Sequence, residues 1–183
     1  MDISQRILAR KIVFSYYYMR LTSEHIRDEY VPTASTTQLT DGDFSIEIDM
    51  GESEGSDLYR SHRCDDTTRL EDIYHIMQYG FETTTAEVDD DYINQMTLHY
   101  VDYRSQIALL LQSFMTNFWF DEMDSTKQSL LLIGVVEYHI LHSPIQVILN
   151  ETVELAKRYA TEETYKGING ILHAYFQSLT PVI

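Results

Sequence analysis

Apolar residues recur at helical spacing from the first turns of the chain. Leu8, Ile12 and Met19 share one face of a helix over residues 3–20, with Ala9 and Tyr16 beside them. Asp2 can cap that helix, and Gln5 stands three residues on, as in a capping box. Arg6 and Arg10 line another edge four residues apart, with Tyr17 between them in angle and Tyr18 next to Lys11. The pattern breaks into Thr, Ser, Gly and Asp from 32 to 57. There "LTDGDFSIEIDM" reads either as a hairpin turning at Asp-Gly or as a mobile acidic loop. A short helix is expected next, started by Thr68 and Glu71, with Leu70, Ile73, Ile76 and Met77 on its apolar side.

From Asp89 onward the periodicity is helical throughout. One helix is predicted to about Val101 and another from about Tyr103 to Thr116. "STKQSLLLIGVVEYHILH" is apolar almost all round, as a helix enclosed on every side would be. Ser143, Pro144 and Gln146 then read as a capped start. In the helix that follows, Ile145, Ile148, Thr152, Ala156 and Tyr159 share a face, and Glu154 and Arg158 pair across one turn. The fold class expected is all-α: one domain over 1–183, with an acidic insertion at 31–87.

Charge changes the picture more than composition does. The chain of 183 residues carries a net −16, with 44% apolar residues for a core. Residues 41–91 hold 16 acidic and three basic side chains, whereas residues 1–20 hold Arg6, Arg10, Lys11 and Arg20 against Asp2 alone. The acidity is regional, so whole-chain charge is a poor guide to partners. A single cysteine, Cys64, excludes an internal disulfide and suits a reducing cytoplasm. The longest apolar run, 130–136, is far short of the ~20 residues of a membrane span, and no secretory leader is expected. His139 and His142 have the spacing of a metal pair without a third ligand, so no metal or cofactor is expected. No phosphate loop or nucleophile elbow is present, and no enzymatic activity is expected.

At "LNETVELAKRYATEETYKGINGIL" the chain resembles the NusB family of bacterial transcription antitermination factors. The likeness rests on Asn150-Glu151, "VELAKRY", Glu162-Glu163 and "GINGIL", joined upstream by Trp119, Asp124 and "VVEY" with Glu137. It extends over 88–174 and over 1–20, where arginines precede an aromatic pair, and stops over 21–87. The resemblance implies two small helical bundles packed together. It also implies binding of the boxA element of nascent ribosomal RNA jointly with NusE, a small-subunit ribosomal protein, in the antitermination complex of RNA polymerase. Homodimers occur in the family. The implied RNA-contacting residues are Arg6, Arg10, Lys11, Tyr18, Glu163 and Lys166, because arginines hold phosphates and aromatics stack on unpaired bases. Asn169 and Gly170 are expected in structural roles, with the glycine permitting a close helix contact. Gly167 stands where the family usually carries an aromatic, with Tyr165 nearby as a substitute. Lys127 stands where many members carry a glutamate. The alternative is a NusB-like interaction module that has lost RNA binding and engages a basic partner through its acidic segment.

Overall fold

A computed structural model describes residues 3–30, 66–98, 100–115 and 119–179, with only the backbone course given for 27–30 and 101–103. Seven α-helices, and no strand, occur among the described residues. They are α1 (Ile3–Tyr30), α2 (Asp66–His75), α3 (Asp90–Leu98), α4 (Tyr100–Gln112), α5 (Ser125–Leu141), α6 (Ile145–Tyr159) and α7 (Glu162–Leu179). The first helix runs ten residues beyond its predicted end. No Gly or Pro interrupts 3–30.

The apolar run 130–136 puts α5 at the centre, buried on every side. One bundle, α1 to α3, packs against it on one flank, and α6 and α7 pack on the other. Leu131 and Ile133 thus serve the core of the whole molecule, not of one lobe. Gly134 is where α7 comes closest: a Cβ there would lie 2.9 Å from Leu172 Cδ1 and 3.5 Å from Thr152 Oγ1. The close-contact glycine is therefore Gly134. Gly170, expected in that role, lies on the outer face of α7 with nothing within 4 Å of a Cβ position, and so does Gly167. Asn169 is exposed beside them, not turned into a helix contact.

Three further details differ from what the sequence leads us to expect. Around α2, Ile73 and Met77 are buried and Ile76 packs on the core as expected, but Leu70 is half exposed and Arg69 turns inward beside them, donating to Thr97 Oγ1 at 2.9 Å. A buried hydrogen-bond partner on α3 outweighs the apolar preference at the neighbouring position. At the start of α6 no side chain caps: Pro144 is the capping residue, and its carbonyl accepts from Val147 and Ile148. Glu154 bonds Lys157 at 2.7 Å, not Arg158. The hairpin or loop read at 39–50 lies outside the described residues. Residues 66–87, by contrast, form α2, a π turn and a 3-10 turn, and the first two pack on α1.

The start of α5 is capped as its sequence suggests. Asp124 accepts from the Lys127 amide at 3.0 Å, and the Lys127 ammonium lies 2.9 Å from the same carboxylate. Partial burial pushes this carboxyl up, but the side-chain and backbone hydrogen bonds from Lys127 outweigh it and hold the group below its ordinary value. Asp124→Ala is expected to cost about 1 kcal/mol at neutral pH. A depressed pKa stabilises above the unfolded value and loses that contribution as pH falls through the folded one. The gap between wild type and variant in urea melts should therefore close below about pH 4.

Candidate nucleic-acid interface

Arg10 sits at the centre of the surface where α1 meets α5 and α6, yet it does not face solvent. Only 5% of the residue is exposed. Its Nε donates to Glu137 Oε2 at 3.0 Å and its Nη2 to Glu137 Oε1 at 2.6 Å, while Nη1 lies 3.2 Å from Glu151 Oε2. All three guanidinium nitrogens are thus committed to carboxylates on α5 and α6. Tyr92 from α3 adds its hydroxyl to Glu137 Oε2 at 2.9 Å. Burial pulls the arginine pKa down, but the hydrogen bonds and charge of Glu137 reverse this and raise it. The Tyr92 phenol is pushed up, first by burial and then by the Glu137 charge.

Arg6 turns the same way. Its Nε lies 2.6 Å from Asp89 Oδ2, and its guanidinium sits over the Tyr92 ring, 4.5 Å from the centroid. Tyr17 is fully buried, with its hydroxyl on the Met96 carbonyl at 2.7 Å. The arginine edge expected to grip phosphates is therefore an internal clamp that ties α1 to α3, α5 and α6. The physical reason lies in the partners. Asp89, Glu137 and Glu151 are distant in sequence, and only the fold brings their carboxylates within bonding range of the two guanidinium groups.

The solvent side of the clamp is a groove of about 450 Å³ between α1 and α6, lined by Ile7, Arg10 and Lys11 from α1 and by Glu151, Glu154, Leu155, Lys157 and Arg158 from α6. Lys11 and Arg158 form no ion pair among the described residues, which sets them apart from Arg6 and Arg10. Aromatics continue the groove toward the end of α6. Phe14 stacks on Tyr159 with centroids 4.6 Å apart, and on Tyr18 at 6.3 Å. Tyr18 and Tyr159 expose their rings at the two ends of this row. The amphipathicity of α6 buries Ile148, Leu149, Thr152, Leu155 and Ala156 and leaves its charged residues on the rim.

Of the residues expected at an RNA surface, Lys11 and Tyr18 are on this face, Arg10 lines the groove but is 5% exposed and held by carboxylates, and Arg6 is turned to Asp89 and Tyr92. Glu163 and Lys166 are exposed on the first turns of α7, one short connection beyond Tyr159, with Lys166 bonded to Glu162 at 2.7 Å. Phe14, Lys157, Arg158 and Tyr159 were not singled out from the sequence as part of such a surface. The one signal was the basic end of "ELAKRY", whose meaning depends on α6 lying against α1. Away from the groove, His139 Nε2 and Tyr175 Oη are 2.6 Å apart, and no cluster of three metal-ligating residues occurs among the described residues.

The family model for the NusB family matches residues 58–177. The chain belongs to the NusB family. The match takes in α2 to most of α7 and begins well before residue 88, so the likeness reaches into the segment 21–87, where none was expected. Among curated relatives, the transcription antitermination protein NusB of Cyanothece sp. is 32% identical over 101 residues, covering 55% of this chain and 46% of the relative. Those of Finegoldia magna and Listeria innocua are 32% and 33% identical, over 62% and 76% of their own lengths. Against the first two relatives, then, the chain spans between about half and three fifths of the relative's length. The clamp residues Tyr92, Glu137 and Glu151 all fall inside the matched range. None of the described helices is long and apolar enough to cross a membrane.

Proposed function

We propose that this chain binds single-stranded RNA along the α1–α6 groove and acts in transcription antitermination without catalysing a reaction. In this reading it recognises boxA of nascent ribosomal RNA together with NusE, within the RNA polymerase complex. The observation that carries the reading is the pairing of unneutralised cations, Lys11 and Arg158, with the row Tyr18, Phe14 and Tyr159 on one face of an otherwise strongly acidic chain. Cations spaced along a groove hold a phosphate backbone, and exposed tyrosines offer faces to unpaired bases. Glu163 and Lys166 would extend the same surface onto α7. The names of the NusB relatives support the process, antitermination, to which the binding belongs.

Lys11→Ala/Arg158→Ala should weaken binding of a boxA-containing oligonucleotide in fluorescence anisotropy while leaving the circular dichroism unchanged. Loss of two phosphate contacts should flatten the slope of log affinity against log salt by about 1.4. An unchanged slope in the folded double variant would remove the groove from the RNA surface. Capture of NusE by the wild-type chain with no RNA affinity at all would favour the interaction-module alternative.

A further inference from the structure

Glu151 is an acidic residue in a groove read as an RNA surface, and its geometry gives it a role that a phosphate-binding face alone would not need. One oxygen, Oε2, is held 3.2 Å from Arg10 Nη1, and Arg10 in turn is fixed by two bonds to Glu137. The side chain is 29% exposed, and Oε1 accepts no hydrogen bond from a described residue. The carboxylate is therefore anchored from behind with a free acceptor at the groove. Ile7 and Leu155 supply apolar wall next to it, while Lys11 and Arg158 stand on the α1 and α6 sides.

Resting on the RNA reading above, we infer that Glu151 is a specificity-determining residue that selects an unpaired base bearing an exocyclic amino group and rejects uracil. The base lies against Ile7 and Leu155, and the flanking phosphates meet Lys11 and Arg158. An ionised carboxylate only accepts. Cytosine N4, adenine N6 and guanine N2 each offer it N–H donors. Uracil offers one edge donor, N3–H, flanked by two carbonyl oxygens that the carboxylate repels. The anchoring by Arg10 sharpens the choice, because Oε1 cannot swing away to admit the wrong edge without breaking the ion pair. Cytosine and uracil have similar stacking faces, so comparison of the two isolates the reading of the edge.

The experiment measures anisotropy of labelled oligo(C) and oligo(U) of equal length on the whole chain at pH 7.5, with wild type and Glu151→Gln. Wild type should favour oligo(C) by about tenfold, the usual worth of one good base-edge contact. In Glu151→Gln the amide donates as well as accepts, so it can pair with uracil, and the ratio should fall close to one. The substitution also makes the groove less negative, so absolute affinities for both oligomers should rise or hold. The ratio carries the test. Equal binding of both oligomers by wild type, or an unchanged ratio in a folded Glu151→Gln, would overturn the assignment while leaving the RNA reading intact. Absence of binding to either oligomer and to boxA RNA would overturn the RNA reading itself.

Discussion

Glu137→Ala is expected to lower the free energy of unfolding by about 3–5 kcal/mol in urea melts, the usual consequence of removing one member of a buried ion pair. The loss exceeds that of the attraction itself, because the Arg10 guanidinium stays in a site with 5% exposure and keeps only Glu151, at 3.2 Å. The Tyr92 hydroxyl also loses its acceptor. Arg10→Met/Glu137→Leu should recover part of the loss, because it removes the buried charge pair together and leaves only the part-exposed Glu151 carboxylate and the Tyr92 hydroxyl without their partners. If the single and double variants melt together, Arg10 is satisfied by other means and the clamp is not what joins α1 to α5. The same result bears on function. A loss of RNA binding in an Arg10 variant would report a loosened fold, not a lost phosphate contact, so Lys11 and Arg158 are the positions at which to probe binding.

Gly134→Leu should destabilise by about 1–3 kcal/mol through overpacking, whereas Gly170→Ala should stabilise by about 0.5–1 kcal/mol. At Gly134 the first added atom already meets Leu172 at 2.9 Å, and Leu172 is itself fully buried, so the rest of a leucine side chain must displace it within the core. At Gly170 an added methyl meets nothing and removes the conformational freedom that glycine gives the unfolded chain. Thermal and urea melts of the two variants should move in opposite directions. Movement in the same direction would mean that α7 is rotated about its axis relative to α5.

The sequence by itself determined the helices and the middle of the fold. Periodicity and capping spacing mark out α1 to α7, and the unbroken apolar run 130–136 is enough to place α5 at the centre, since no other environment suits a helix with no polar face. The family was legible too, because "NGIL", "VELAKRY" and the Glu137 position are local strings whose spacing survives without knowledge of the packing. Tertiary structure decided the direction in which charged and small side chains point. Arg10 and Lys11 are neighbours with the same sign, yet one is buried on Glu137 and the other forms no ion pair among the described residues. Gly134 and Gly170 are both helical glycines, yet only one faces another helix. In each case the outcome depends on a partner far away in sequence. The cost of burying a charge is met only when a carboxylate from another helix arrives, and a missing side chain matters only where another helix comes close enough to need the space.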